Sequence, residues 1–187
     1  MLICITGLTG SGKTTALEYI KRKGYNTFEV DKYIHSLYKN GEKGYDIIKD
    51  TFGPEYVNDF EVNRQKLGQL VFNNKDNLNK LNNLMLPIIK QKLRELKHED
   101  KLIFVEMAIF LNYIQYFAES FDDVVIIKGK EEIQNQKLNQ LKWFKHSKDV
   151  INPINNEEKP DYIIVDNLTT IADLEKKIDK LLLQFKR

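Results

Sequence analysis

Short apolar runs alternate along this chain with segments whose apolar residues recur at helical spacing. Five of these runs are bounded by turn or polar residues and are rich in β-branched or aromatic side chains, which is typical of buried strands. The predicted strands are Leu2–Thr6, Tyr25–Val30, Lys101–Met107, Val124–Lys128 and Tyr162–Val165. Strands that alternate with helices indicate βαβ units, so we expect an α/β fold with a five-stranded parallel sheet and helices on both faces.

Helical spacing dominates the stretch between the second and third predicted strands. Residues 32–98 are almost wholly helical in pattern, and the predicted helices there are Tyr33–Lys39, Gly44–Phe52, Asn63–Phe72 and Leu78–His98, the last broken or kinked at Pro87. A stretch of this length is too large for a simple crossover, so we expect an inserted helical cap. The other predicted helices are Lys13–Lys23, a basic Glu131–Lys148, and Thr170–Phe185 with Thr170 and Asp173 spaced like a capping box.

Composition excludes several classes of protein. The 187 residues favour one domain, and 42% hydrophobic with 30% charged residues exclude a disordered or fibrous chain. The 29 lysines and arginines against 27 acidic residues leave a net charge of +2, too balanced to indicate a nucleic-acid or membrane partner. One cysteine cannot form an internal disulfide, and no apolar run approaches the roughly 20 residues of a membrane helix. Because the first residues also lack a basic leader, we expect a cytoplasmic protein.

Residues Gly7–Thr14 match the pattern G-x-x-x-x-G-K-[ST] at every fixed position, between a predicted strand and a predicted helix. Glycines allow a tight turn whose N–H groups approach phosphate oxygens, and the helix N-terminus adds donors and positive partial charge. Lys13 would place its charge on the β- and γ-phosphates, and the Thr14 hydroxyl would ligate Mg²⁺. The predicted ATP-binding residues are Gly10, Ser11, Gly12, Lys13, Thr14 and Thr15. A plain connecting turn needs one or two glycines, not three followed by Lys-Thr.

Among P-loop proteins, the pattern favours a small kinase. The base-reading Asn-Lys-x-Asp motif of GTPases has no counterpart, because Asn74-Lys75-Asp76 lacks the spacer and lies in a helical region. Motor ATPases end a hydrophobic strand with an acidic Mg²⁺ residue, and here only Glu106 offers itself. A small chain with an early P-loop, an inserted helical cap and a basic late helix resembles nucleoside and nucleotide kinases. This resemblance implies a three-layer α/β/α P-loop fold with a core of about 1–31, 99–130 and 160–187, an acceptor-binding insertion of about 32–98, and a lid of about 131–159.

Further motifs follow the P-loop in a fixed order. They are Glu29-Val30-Asp31 with Ile34 and His35, Gly44–Ile48 leading to Phe52-Gly53, Asn63–Gly68 with Val71-Phe72, and Asp161–Asn167. In this order they resemble the motifs of the dephospho-coenzyme A kinase family. The resemblance implies transfer of the ATP γ-phosphate to the ribose 3′-hydroxyl of dephospho-CoA, the last step of coenzyme A synthesis, with Mg²⁺ as cofactor.

The chain also departs from that family's pattern. Leu86-Pro87 stands where the family has His-Pro, and Met107–Leu111 lacks the proline and glutamate of the corresponding family segment. The family's arginine-bearing lid corresponds to about Glu131–Lys159, which contains lysines but no arginine. Lysine supplies charge without the bidentate fork of arginine, so either lysines substitute in the lid or the activity is altered.

Four residues outside the P-loop receive candidate roles. Asp31 would orient or deprotonate the acceptor hydroxyl, and its alternative role is an N-cap for the next helix. Arg64 would clamp an acceptor phosphate, or else lies on a helix surface. Glu106 is polar in an apolar strand, so it would face the Mg²⁺ shell or need a partner. Asn167, by resemblance, would lie near the adenine, or be a turn residue without a function.

Two other functions fit the same residues. One is a P-loop kinase for another small acceptor, such as a nucleoside or nucleotide. The other is a non-catalytic ATP-binding protein whose lid no longer supports transfer. The sequence leaves open the preference between ATP and GTP, the lysine of the lid that contacts phosphate, and the oligomeric state.

Overall fold

A computed structural model of the chain describes residues 1–129, 163–167 and 169–185. The predicted lid and its lysines lie outside these residues. The chain forms two compact units: the first combines Met1–Phe28 with the described residues from Glu99 onward, and the second is Glu29–His98. Within the described residues, no helix is both long and apolar enough to span a membrane.

Strands and helices alternate along the described chain. The strands are β1 (Leu2–Thr6), β2 (Asn26–Glu29), β3 (Ile103–Glu106), β4 (Asp123–Lys128) and β5 (Ile163–Asp166). The α-helices are α1 (Lys13–Arg22), α2 (Val30–Leu37), α3 (Lys43–Phe52), α4 (Arg64–Phe72), α5 (Lys75–His98), α6 (Ile114–Phe117) and α7 (Ile171–Gln184), with short 3₁₀ segments at Pro54–Tyr56, Ala108–Asn112 and Ala118–Ser120. The predicted elements within these residues are all present, with ends shifted by a few residues.

The five strands form one sheet in the order β2-β3-β1-β4-β5, which confirms the predicted parallel α/β fold. Ile5 pairs with Glu106 where β1 runs parallel to β3, and Lys128 pairs with Asp166 where β4 runs parallel to β5. Every residue of β1 is buried, as expected for a central strand covered on both faces.

Helices α1 and α7 share one hydrophobic core with the central strands. Their apolar faces, which include Leu17, Ile20 and Ile178, pack with the buried residues of β1. At the start of α7, the Thr170 hydroxyl accepts a hydrogen bond from the Asp173 N–H, and it donates one to the Asp173 carboxylate. The predicted cap therefore forms, and it satisfies one of the N–H groups that the first helical turn leaves without an intrahelical partner.

The second unit is helical, as the pattern over residues 32–98 predicts, and it has its own core. Buried residues of its helices and of the segments between them form a separate cluster that includes Tyr45, Ile48, Leu67 and Met85. Helix α5 runs unbroken through Pro87, so the predicted break is wrong. The residues flanking the proline are buried, and packing of this apolar face outweighs the loss of one backbone hydrogen bond.

Candidate functional site

The loop between β1 and α1, residues 7–12, has the backbone geometry that its glycines predict. Gly7, Gly10 and Gly12 have φ values of 146°, 77° and 96°. Gly12 occupies the N-cap position of α1 in the left-handed conformation, and no side chain of a described residue caps this helix. Residues with a Cβ rarely adopt this conformation, so the glycines let the loop place backbone N–H groups at the helix N-terminus, where anions bind.

Two of these glycines also lie where a side chain has no space. A Cβ on Gly7 would come closer than 3.0 Å to the carbonyl oxygen of Ile127 in β4, and one on Gly12 would come equally close to Nδ2 of Asn167. A Cβ on Gly10, in contrast, would meet no atom of the described residues within 4 Å. The loop is therefore pressed against β4 on one side and the end of β5 on another, whereas nothing in the described part of the chain crowds Gly10.

Lys13 is the first residue of α1, and its side chain folds back over the loop of residues 7–12. It is only 8% exposed, and Nζ donates to the carbonyl oxygen of Leu8 at 2.9 Å. A buried ammonium group needs compensating contacts, and this loop supplies one through its own backbone. A localised positive charge beside the N-terminal end of a helix is the arrangement that P-loops use to bind phosphate.

Thr14 and Glu106, which were both predicted to face Mg²⁺, contact each other. The Thr14 hydroxyl donates to Oε1 of Glu106 at 3.0 Å, and Glu106 ends β3 beside the loop. A hydroxyl and a carboxylate are hard oxygen donors, which suit Mg²⁺ bound by few protein ligands together with phosphates and water. These two side chains therefore fit the ion that the kinase prediction requires.

Asn167 immediately follows β5 and contacts the loop directly. Its side-chain Nδ2 donates to the carbonyl oxygen of Ser11 at 2.8 Å, and its backbone N–H donates to the carbonyl of Lys128 at 2.7 Å. Its predicted place near the adenine stays a prediction. The Ser11 hydroxyl is buried and has no hydrogen-bond partner among the described residues.

Asp31 lies in the first turn of α2, and its side chain is exposed. The helix begins at Val30 with Glu29 at the N-cap position, so the alternative of Asp31 as N-cap is wrong. Glu29 forms a salt bridge with Lys32 at 2.7 Å. The Asp31 carboxylate is accessible from solvent, as its predicted contact with an acceptor hydroxyl requires.

Arg64, the first residue of α4, is held by a residue that the sequence did not single out for chemistry. Its Nη1 lies 3.1 Å from Nδ1 of His35 in α2, and both side chains are exposed. Burial raises the pKa of the neighbouring Tyr38 to about 12, although the positive charge of Arg64 opposes that rise. One feature of the sequence pointed to His35: it belongs to the same motif as Asp31 and lies four residues after it.

Comparisons with known proteins agree on one family. The family model described as CoaE, dephospho-CoA kinase, matches residues 1–142. A curated dephospho-CoA kinase of Mycoplasma genitalium is 36% identical over 188 residues, covering 99% of this chain and 93% of that protein. A second, from Mycoplasma pneumoniae, is 41% identical over 141 residues, which cover 74% of this chain and 70% of the relative.

Solved structures show the same fold. A dephospho-CoA kinase from Campylobacter jejuni superposes with a TM-score of 0.66 at 23% identity, covering 98% of this chain and 96% of that one. The protein TT1252 from Thermus thermophilus gives the same score at 22% identity, with 100% and 98% covered. At these identities the likeness concerns the fold alone.

Proposed function

The chain belongs to the dephospho-CoA kinase family, and from this premise we propose that it transfers the γ-phosphoryl group of ATP to the ribose 3′-hydroxyl of dephospho-CoA. The 3′-oxygen forms a bond to the γ-phosphorus, the bond from that phosphorus to the β–γ bridging oxygen breaks, and ADP leaves. The observation that carries the proposal is the loop of residues 7–12, which we call the phosphate loop, with Lys13 buried over it. Both lie within the 142 residues that match the family.

Residues of the first unit would bind the nucleotide. The backbone N–H groups of residues 10–15 and the ammonium group of Lys13 would hold the β- and γ-phosphates. The Thr14 hydroxyl and the Glu106 carboxylate, 3.0 Å apart, would hold Mg²⁺, which supplies positive charge to the phosphates when bound. Catalysis of this kind is mainly positioning and electrostatic stabilisation, which fits a site of preformed donors.

Residues of the second unit would bind and activate the acceptor. Asp31 would accept the proton of the 3′-hydroxyl as that oxygen attacks. The Arg64 guanidinium would bind an acceptor phosphate, for which its planar fork is suited. His35 would limit the rotation of Arg64 through their 3.1 Å contact and so reduce the entropy lost on binding.

A coupled assay of ADP release tests the proposed reaction. It would contain ATP, Mg²⁺ and dephospho-CoA, and parallel reactions would replace dephospho-CoA with adenosine, with nucleoside monophosphates or with no acceptor. We expect ADP release that depends on dephospho-CoA, together with a product that carries a new 3′-phosphate by mass spectrometry. An Arg64→Lys variant should raise the KM for dephospho-CoA more than the KM for ATP.

The other outcomes point to different functions. Turnover of another acceptor, with none of dephospho-CoA, would keep the kinase fold and reject the proposed acceptor. Binding of ATP without transfer to any acceptor would indicate a nucleotide-binding protein. In either case the first positions to examine would be Leu86, which stands where the family has histidine, and Met107–Leu111. At these positions the chain departs from its family.

A further inference from the structure

We propose that Asn167 is a positioning residue for the phosphate loop, acting through the peptide bond between Ser11 and Gly12. Its side chain would set the direction of the Gly12 N–H group and so determine how tightly the loop binds phosphate. This inference rests on the proposed function, since it takes the ATP phosphates as the ligand of the loop. It assigns Asn167 to the phosphate end of the nucleotide rather than to the adenine.

The sheet places Asn167 before any ligand is bound. Lys128 and Asp166 are paired in the register of β4 and β5, and the Asn167 N–H continues this ladder by donating to the Lys128 carbonyl at 2.7 Å. The backbone of Asn167 is therefore held by the end of the sheet. Its side chain projects from this fixed point to the loop, where Nδ2 donates to the Ser11 carbonyl at 2.8 Å.

A hydrogen bond to the Ser11 carbonyl also orients the next N–H group. The peptide bond is planar and trans, so the C=O of Ser11 and the N–H of Gly12 point in opposite directions. When Asn167 holds the carbonyl on its own side, the Gly12 N–H must point away from Asn167. In a P-loop, N–H groups of this part of the loop donate to phosphate, so rotation of this peptide would remove a donor from the site.

Gly12 fits this role because it leaves room for the amide. A Cβ on Gly12 would come closer than 3.0 Å to Nδ2 of Asn167 and within 3.6 Å of Leu174 in α7. The same glycine has a φ of 96°, which gives the loop its turn into α1. Gly12 therefore meets two requirements, a left-handed backbone and close approach of the Asn167 amide.

Binding measurements on Asn167→Ala separate the phosphate end from the adenine end. Dissociation constants would be measured by calorimetry for tripolyphosphate, which has no base, for adenosine, which has no phosphate, and for ATP. Loss of one amide–carbonyl hydrogen bond should weaken tripolyphosphate and ATP by about 3- to 10-fold and leave adenosine unchanged. Asn167→Asp keeps the shape but places a carboxylate oxygen against the Ser11 carbonyl, so it should weaken both phosphate ligands further.

Asn26→Ala is the matched control for this experiment. Its amide also donates to a backbone carbonyl of the first unit, that of Leu102 at 3.4 Å, but this contact lies at the strand end remote from the loop. We expect Asn26→Ala to leave all three dissociation constants unchanged. In steady-state kinetics, Asn167→Ala should raise the KM for ATP while the KM for dephospho-CoA stays constant.

The opposite pattern overturns the inference. If Asn167→Ala weakens adenosine and ATP but leaves tripolyphosphate unchanged, Asn167 contacts the base. If neither Asn167 variant changes tripolyphosphate binding, the hydrogen bond to Ser11 does not position the loop. Because these measurements need no acceptor, a wild-type protein that binds tripolyphosphate but does not phosphorylate dephospho-CoA would reject the proposed function without rejecting this role.

Discussion

Two glycines of the phosphate loop offer a direct test of the packing described above. Alanine at Gly7 meets two costs, because a φ of 146° disfavours a side chain and because the new Cβ would come closer than 3.0 Å to the Ile127 carbonyl. That carbonyl belongs to a buried central strand, so it cannot move away at small cost. The strained backbone and the overpacking together should cost about 2–6 kcal/mol of unfolding free energy.

Gly10→Ala is the internal control, since it lies in the same loop. Its φ of 77° also disfavours a side chain, but within residues 1–129, 163–167 and 169–185 a Cβ there would meet nothing within 4 Å. The expected cost is therefore about 1–2 kcal/mol, from the left-handed backbone alone. For a chain of this size 1 kcal/mol lowers the melting temperature by about 2–4 °C, so Gly7→Ala should melt well below Gly10→Ala.

Thermal unfolding followed by circular dichroism or calorimetry measures the difference between these variants without reference to activity. Equal melting temperatures would show that the Ile127 carbonyl yields to the added methyl group. A lower melting temperature for Gly10→Ala would refute the account of the loop as pressed against β4.

The remaining predictions concern single charged groups. Lys13→Met should reduce kcat by at least about 100-fold while the circular dichroism spectrum is retained. Lys21 is an exposed lysine of the same helix, so Lys21→Met should leave kcat unchanged. An active Lys13→Met enzyme would reject the site. Asp31→Asn should lower kcat by about 10²- to 10⁴-fold with little change in ATP affinity. Asp46 lies in the first turn of α3, and Asp46→Asn should leave kcat unchanged. Equal losses of kcat and ATP affinity in Asp31→Asn would indicate a structural role. Hydrogen bonds from two threonine hydroxyls lower the pKa of Asp173, so its stabilising contribution is present above about pH 4 and is lost as the pH falls through the lowered pKa. In urea unfolding from about pH 2 to 6, the unfolding free energy of Asp173→Asn should depend less on pH than that of the wild type. An unchanged pH dependence would contradict the shift.

Local patterns in the sequence were sufficient to predict the elements and the phosphate loop. Runs of β-branched residues identify strands because such side chains suit a buried sheet, and a glycine-rich motif identifies a loop because its backbone conformations need glycine. The errors concern where a helix begins and whether a helix is continuous. Val30 was assigned to the second strand but begins α2, so Glu29 rather than Asp31 occupies the N-cap position. Pro87 was expected to break or kink the helix that contains it, and packing of its buried neighbours keeps that helix unbroken.

Pairings between distant residues could not be predicted in the same way. The contact between His35 and Arg64 joins residues 29 positions apart, and the bond from Asn167 to Ser11 joins residues 156 positions apart. Each residue type is compatible with many partners, and only the packing of the elements selects one. A hydrogen-bonding residue in the sequence therefore indicates a capacity for contact, whereas the fold determines which atom satisfies it.

The sheet explains why polar residues from distant segments meet at one loop. Strands β1, β3 and β5 run parallel, so their carboxyl ends lie along the same edge, where ligands bind in folds of this kind. Glu106 ends β3 and reaches Thr14, and Asn167 follows β5 and reaches Ser11. Side chains of successive strand residues point to opposite faces, so a shift of one residue in either register would turn these groups away from the loop. The apolar side chains that determine the strand registers therefore also aim the polar residues of the site.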